Sequence, residues 1–218
     1  QLLRKIAKTG KPIIMATGIA ELADIEQALK TCIEAGNDQV ILLKCTSAYP
    51  TPYDEVNINM LKTLRETFGC LVGISDHTFG ATVPILSVAM GGKMIEKHVT
   101  LKRSDGGTDS EFSMEMEEFE EMCKQVRMAE QAMGTSRYYL TDSQKMERHF
   151  SRSLFIAEDM EAGEIITENN VRSVRPADGM HTMYFEDIVG KKVNRKLIKG
   201  TPMMWKFIDW SEDEEKKK

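Results

Sequence analysis

The chain has 218 residues, of which 41% are hydrophobic, and a formal net charge of −5. This is enough apolar sequence for one large globular domain or two smaller ones. Charges of both signs are mixed along the chain and no basic face stands out, which argues against nucleic acid or an anionic membrane as a partner.

The four cysteines are far apart and form no CxxC pair. This spacing predicts reduced thiols and a cytoplasmic location. No apolar run reaches the roughly 20 residues of a membrane span, and we expect neither a membrane segment nor a signal peptide. The chain begins at Gln1 within a helical pattern, so we expect further residues upstream.

Residues 1–133 alternate short apolar segments with amphipathic segments. Such alternation predicts parallel strands with helices on the outside. No glycine-rich phosphate loop opens any of the helices, which disfavours a nucleotide-binding sheet. Strands are predicted at residues 12–17, 39–44, 71–75 and 93–98, and helices at residues 21–35, 57–68, 81–90 and 116–133.

Polar side chains follow every predicted strand. Barrel enzymes build their active sites at the carboxyl ends of the strands, so this distribution favours a TIM barrel. Four strands cannot close such a barrel, and we therefore predict its C-terminal half, with the other half expected upstream. The polar clusters are residues 16–18, 44–47, 75–78 and 96–98.

The composition and periodicity of the sequence change after residue 133. Residues 134–150 are polar, lack clear periodicity and are predicted to be a linker. Residues 151–208 contain short strand-like pieces with a glycine turn in each half, which predicts a small, mainly β domain with an internal pseudo-repeat. The charged tail at residues 209–218 is predicted to be disordered.

Two histidines at neighbouring strand ends are the strongest candidate site. Residues two apart on a strand face the same side, so Glu96 and His98 should point into the barrel together while Lys97 points away. With His77 at the end of the preceding strand, two imidazoles can ligate a divalent cation, and the carboxylate can orient a water. The alternative is two unrelated histidines that are hydrogen-bonded in the core or on the rim.

Three other segments carry weaker signals. Residues 44–53 combine a lysine, hydroxyl side chains and stiffening prolines, a set that can bind phosphate or a polyol. Residues 103–110 contain a glycine pair and Asp109, which can bond sugar hydroxyls. An ordinary turn would look the same there, with Ser113 as N-cap of the next helix. Arg175 precedes Pro176 in the small domain, where a solvated arginine is the simpler interpretation.

Taken in order, these motifs resemble those of the sialic acid synthase family of nonulosonate synthases. Residues 151–208 resemble the family's antifreeze-like (SAF) module, which carries an Arg-Pro pair. Residues 44–50 and 105–107 look more like the pseudaminic acid synthases than the sialic or legionaminic acid enzymes. The matching stretches of the first domain are residues 10–12, 16–18, 44–52, 73–78, 96–98, 105–109 and 112–115.

The resemblance implies a transferase that uses phosphoenolpyruvate. Carbon 3 of phosphoenolpyruvate would join the aldehyde carbon of an open-chain N-acylated hexosamine-type sugar, which in the pseudaminic branch is 2,4-diacetamido-2,4,6-trideoxy-altrose. Water would then add to carbon 2, and phosphate would leave to give a nine-carbon nonulosonic acid. The family's upstream half-barrel, which carries lysines for the phosphate, has no counterpart here, so we expect a truncated synthase.

The resemblance also implies site residues. His77 and His98 would bind Mn²⁺ or Mg²⁺, and Glu96 would hold or deprotonate a water. Arg175 would enter the barrel of the partner subunit in a domain-swapped homodimer. The further substrate contacts would be Thr46, Ser47 and Ser75 for phosphate and carboxylate, and Tyr49 and Asp109 for the sugar.

Other functions stay open at this point. Within the family, the chain can be an N-acetylneuraminate or legionaminate synthase. A non-catalytic, sugar-binding remnant would leave the two histidines dispensable. A different phosphoenolpyruvate-using aldolase would make a shorter keto acid, and the Arg-Pro module argues against it.

Overall fold

The computed structural model describes residues 1–211. The chain divides into two compact units, Gln1–Thr135 and the residues from Ser136 onward. Most of the predicted charged tail, from residue 212, lies outside the described residues, whereas Asp209 belongs to the last strand. No helix within residues 1–211 is long and apolar enough to cross a membrane.

The first unit begins with helix α1 (Leu2–Ala7) and then alternates strands with helices. Every strand and helix predicted for this part is found, with its ends shifted by a few residues at most. The strands are β1 (Ile13–Ala16), β2 (Val40–Cys45), β3 (Leu71–Asp76) and β4 (Ile95–Lys97), and the helices are α2 (Leu22–Glu34), α3 (Met60–Phe68), α4 (Thr82–Ala89) and α5 (Met116–Met133).

The four strands form one parallel sheet in the order β1-β2-β3-β4. Ile13 lies opposite Val40 and Leu42 opposite Val72, so apolar residues face each other across the sheet. The sheet curls into a half-barrel, which confirms the predicted fold class. Its carboxyl ends meet at one edge, where the polar clusters of the sequence come together.

The core of the first unit lies between the sheet and its helices. Leu61 and Leu64 lie on one face of α3 and pack with Leu42 and Val72 of the sheet. Each is buried to at least 97%, so a truncation to alanine there costs about 2–5 kcal/mol. The helices are therefore fixed to the sheet by packing, and this in turn fixes the loops at the strand ends.

Helix α5 begins and ends at the predicted residues, but its N-cap differs from the prediction. Its N-cap is Glu115, whose side chain accepts from the backbone N–H of Glu118, while the Glu118 carboxylate accepts from the Glu115 N–H at 2.8 Å. This reciprocal capping box satisfies two otherwise unpaired donors. The prediction of Ser113 as N-cap is wrong, because its hydroxyl donates to the carbonyl of Asp109 at 2.7 Å instead.

The second unit starts with a helix inside the predicted linker, α6 (Asp142–Arg148), which is capped by Thr141. Strand β5 (Ser153–Ile156) pairs antiparallel with β6 (Val171–Val174), and β7 (Lys192–Val193) pairs antiparallel with β8 (Ile208–Asp209). A short helix, α7 (Phe185–Ile188), lies between them in sequence. A separate cluster of buried apolar residues, which includes Leu154, Met160 and Ile188, forms the core of this unit.

Candidate active site

A cavity of about 400 Å³ opens at the carboxyl ends of the four parallel strands. The loops after β1 and β2 form one side, and the ends of β3 and β4 form the other. Six of the residues predicted for the site line this cavity together: Ser47, Tyr49, Ser75, His77, Glu96 and His98.

The alternation of side chains along β3 and β4 selects which residues reach the cavity. Ser75 lies opposite Glu96 in the sheet, and its hydroxyl donates to Glu96 Oε1 at 2.7 Å. Lys97 does not line the cavity, and its ammonium group lies 2.7 Å from the Asp76 carboxylate. The prediction that Glu96 and His98 face inward while Lys97 faces away is confirmed.

His77 is buried at the floor of the cavity. Its Nδ1 lies 3.2 Å from the carbonyl oxygen of Thr46, and since a carbonyl can only accept, Nδ1 carries the proton of the neutral ring. Burial lowers the pKa of His77, the bond to the Thr46 carbonyl opposes this, and neighbouring His98 lowers the pKa further. The lowered pKa favours the neutral ring, in which the lone pair of Nε2 is available to a ligand.

His98 lies beside His77, and the centroids of the two rings are 5.1 Å apart. Its Nδ1 is 3.7 Å from Oδ2 of Asp109, so this carboxylate, which was predicted to contact the sugar, lies next to the imidazole. The ring of Phe112 lies 5.0 Å from His98, and the ring of Tyr49 lies 4.3 Å from His77. Each imidazole thus has an aromatic ring beside it.

The donor set fits a divalent metal ion. Histidines that ligate metals direct the second ring nitrogen to a carbonyl or a carboxylate, as Thr46 and Asp109 allow here. Within residues 1–211 no group of three or more His, Cys, Asp and Glu side chains is arranged to hold a metal. Two imidazole ligands would leave the other coordination positions to water and substrate, as catalysis by a metal requires.

Of the other predicted site residues, Thr46 and Asp109 do not line this cavity, and Arg175 belongs to the second compact unit. The hydroxyl of Thr46 is bonded to the Lys44 ammonium group and to the carbonyl of Glu55, and neither Thr46 nor Lys44 lines the cavity. Burial lowers the pKa of Lys44. Arg175 follows β6 in the second unit and is exposed.

Sequence reasoning assigned no role to Thr17, Gly18 and Cys45, which also line the cavity. A Cβ atom on Gly18 would lie 2.1 Å from Ser47 Oγ, so a side chain at this position would displace the serine hydroxyl. The signal that points to Cys45 is strand alternation, because it lies two residues before Ser47 on the same side of the chain.

A larger cavity, of about 660 Å³, lies between α4, β4 and α5. Its lining is mostly apolar, includes Arg65 and Arg127, and contains no histidine. Its lining includes the Cys123 thiol, but its residues form no group of three or more His, Cys, Asp and Glu side chains that could hold a metal. The chemistry of the chain therefore concentrates at the strand ends.

Known proteins share this architecture and sequence. The chain is 40% identical over 198 residues to the pseudaminic acid synthase of Campylobacter jejuni, covering 91% of this chain and 58% of that protein. It is 38% identical over 192 residues to the N,N'-diacetyllegionaminic acid synthase of the same species, covering 87% and 58%. The crystal structure of the spore coat polysaccharide biosynthesis protein SpsE from Bacillus subtilis matches with a TM-score of 0.59 and 28% identity, covering 95% of this chain and 64% of that one.

The chain thus spans less than two thirds of the length of these relatives. Residues 151–209 match the SAF domain, in agreement with the small β unit. Residues 1–138 match the NeuB family, and since this match covers more than half of the chain, the protein belongs to the NeuB family.

Proposed function

We propose that this chain carries part of the active site of a nonulosonic acid synthase, which condenses phosphoenolpyruvate with an N-acylated amino sugar and releases phosphate. Membership of the NeuB family and the names of the relatives support this reaction class. The observation that carries the proposal is the pair of imidazoles of His77 and His98, 5.1 Å apart beside Glu96 at the carboxyl ends of parallel strands.

His77 and His98 would hold Mn²⁺ or Mg²⁺ through their Nε2 atoms. A metal ion bound there supplies a Lewis acid for the sugar aldehyde. Glu96 holds a water or takes a proton, and the bond from Ser75 fixes the orientation of its carboxylate. The neutral form of His77 suits this arrangement because a protonated ring cannot ligate a metal.

The remaining side chains of the cavity suit the substrates. Ser47 and Ser75 present hydroxyls that can bond the phosphate and carboxylate groups of phosphoenolpyruvate. Tyr49 exposes 54% of its surface and offers a ring face to the sugar, with Asp109 near His98 as a hydroxyl acceptor. The carbonyl of Thr46 orients the His77 ring. The entry of Arg175 into the barrel of the partner subunit, in a domain-swapped homodimer, remains a prediction.

For the sugar, we propose 2,4-diacetamido-2,4,6-trideoxy-altrose, the substrate of the pseudaminic branch. Support comes from two species, with 40% identity to the Campylobacter jejuni pseudaminic acid synthase and 37% to that of Helicobacter pylori. The 38% identity to a legionaminic acid synthase makes its sugar the second candidate. The test uses a polypeptide of the relatives' full length that includes this chain. Phosphate release from phosphoenolpyruvate is measured with each of the two sugars, with N-acetylmannosamine and with a pentose phosphate, and the rates rank the candidate substrates.

Metal binding is the first test, because it needs only residues of this chain. In a calorimetric titration with Mn²⁺, we expect about one ion per chain, and none for the double variant His77→Ala/His98→Ala. The matched control is His149→Ala/His181→Ala, which removes the other two histidines and should bind as the original chain does. Absence of binding by the original chain, or equal binding by the His77/His98 variant, would contradict the proposed site.

A further inference from the structure

Strands β3 and β4 end in two successive rows of paired residues. Ser75 lies opposite Glu96, and both line the cavity. In the next row Asp76 lies opposite Lys97, and these two side chains point to the other face of the sheet. The two histidines follow directly, so the Asp76–Lys97 pair is the last paired row before the imidazoles.

The Asp76–Lys97 pair is buried, and both of its side chains are hydrogen-bonded to Thr78. Nζ of Lys97 lies 2.7 Å from Oδ2 of Asp76, and each side chain is only 2% exposed. Lys97 also donates to the carbonyl of Thr78. Asp76 accepts from the Thr78 N–H at 3.0 Å and from the Thr78 hydroxyl at 3.2 Å. The pair therefore joins the ends of two strands and the residue just beyond His77.

Stability alone does not account for such a pair. Removing two charges from water offsets most of their attraction, and apolar side chains of similar size are often as stabilising. What apolar side chains cannot reproduce is the set of directed bonds to Thr78. These bonds fix the backbone on both sides of His77, while Lys97 fixes the backbone directly before His98.

We propose that the Asp76–Lys97 pair is a positioning device that sets the separation and orientation of the His77 and His98 imidazoles. Neither residue touches the cavity, so the pair acts only through the two histidines. The proposal rests on the proposed function where metal affinity is concerned. The geometry of the metal-free rings is independent of that function.

The test replaces the pair by apolar side chains of similar size, Asp76→Leu/Lys97→Met. Two quantities are measured: the ¹⁵N–¹H NMR signals of the histidine rings in the metal-free protein, and the Mn²⁺ affinity by calorimetry. We expect the melting temperature to stay within a few degrees, because apolar replacement of a buried pair is often neutral. The protected Nδ1–H signal of His77 should be lost, and Mn²⁺ affinity should fall by about tenfold or more.

Two further variants separate positioning from simple packing. Lys97→Arg keeps a charge pair with Asp76. Unlike the apolar variant, it should retain the His77 ring signal and most of the Mn²⁺ affinity. Lys124→Met removes a lysine from an exposed pair with Glu120 and should change neither quantity. If the apolar variant does not fold, Asp76→Asn/Lys97→Met is measured in its place, since it keeps an acceptor for the Thr78 N–H.

The outcomes are distinguishable. A folded variant without the Asp76–Lys97 pair that keeps the His77 ring signal and the original Mn²⁺ affinity would overturn the positioning role. Failure of the original chain to bind Mn²⁺ would contradict the proposed function, and the ring signals of the metal-free protein would still decide whether the pair positions the histidines.

Discussion

Gly73, in the middle of β3, shows how closely neighbouring strands approach each other. A Cβ atom there would lie 2.3 Å from the carbonyl oxygen of Met94 and 2.8 Å from Cδ2 of Leu43. The first of these atoms belongs to the backbone and cannot rotate away. Any side chain at this position must therefore push β3 away from its neighbours, close to the residues that carry the chemistry.

Gly73→Ala should therefore destabilise the first unit by about 2–3 kcal/mol in urea unfolding, because overpacking forces the backbone to shift. The matched control is Gly36→Ala, where no atom lies within 4 Å and the backbone φ is +87°. That variant bears only the strain of a left-handed alanine, about 1–2 kcal/mol. Equal urea midpoints for Gly73→Ala and Gly36→Ala would show that the strands accommodate the extra methyl group more easily than the geometry indicates.

Single residues also show where sequence reasoning succeeds and where it stops. The prediction of one site for His77 and His98 rests on two strands, each of which can be recognised from the local sequence. Thr46 was assigned a substrate contact, but whether its hydroxyl or its neighbours face the cavity depends on where β2 ends. The pairing of Asp76 with Lys97 depends on the register between two strands, which no local pattern gives.

At the scale of elements, the start of α5 combines a capping box with an ion pair. Glu118 caps the helix by accepting from the Glu115 N–H, and Arg103 binds the same carboxylate with both terminal nitrogens. The bond from Arg103, together with the bond from Glu115, holds the pKa of Glu118 at about 2. This carboxylate is thus more acidic in the folded protein than its ordinary value of 4.5.

Glu118→Gln removes the charge and keeps an acceptor for the capping box. We expect the melting temperature at pH 7 to fall by about 1–3 °C, a small effect because the side chains are partly exposed. Because the pKa is lowered on folding, the stabilisation is complete above pH 4.5 and is lost as the pH falls towards 2. The difference between the two proteins should therefore shrink between these pH values.

The measurement is a series of thermal melts from pH 7 to pH 3. Glu121→Gln serves as the matched control, because Glu121 lies on the same helix but outside the ion pair between Arg103 and Glu118. A difference between Glu118→Gln and the original chain that stays constant down to pH 3 would show that the carboxylate is not unusually acidic.

The elements themselves were predicted better than their ends. The alternation of apolar strands and amphipathic helices in residues 1–135 is a local signal, and packing against the sheet reinforces it. The predicted cap of α5, Ser113, is wrong because its hydroxyl is bonded to the carbonyl of Asp109, while Glu115, which is not a preferred N-cap residue, forms a capping box with Glu118. Helix α6 was missed because its seven residues are too few and too polar to show a period.

On the scale of the whole molecule, each apolar core takes all its residues from one unit. Leu61 and Leu64 belong to the core of the first unit, whereas Leu154 and Met160 belong to that of the second. Both tryptophans of the chain, Trp205 and Trp210, lie in the second unit. Their fluorescence therefore reports the unfolding of that unit, while helical circular dichroism follows mainly the first.

Truncation of one core at a time should separate the two unfolding reactions. Leu154→Ala should lower the fluorescence midpoint, with a loss of about 2–5 kcal/mol, and leave the helical transition nearly unchanged. Leu61→Ala should lower the midpoint of the helical transition and leave the fluorescence midpoint nearly unchanged. If each variant shifts both midpoints equally, the two units unfold as one cooperative body and the separate cores do not make separate transitions.

The register between β3 and β4 has a consequence for natural variation in this protein. A slip of one residue in either strand would turn that strand's residues to the opposite face. Ser75 or Glu96 would then leave the cavity, and Asp76 or Lys97 would enter it. A substitution in one of these strands changes one side chain. A single inserted or deleted codon would instead exchange all the residues that face the cavity with those that face away from it. We expect gene variants of this protein to collect insertions and deletions in exposed loops and to lack them in these two strands.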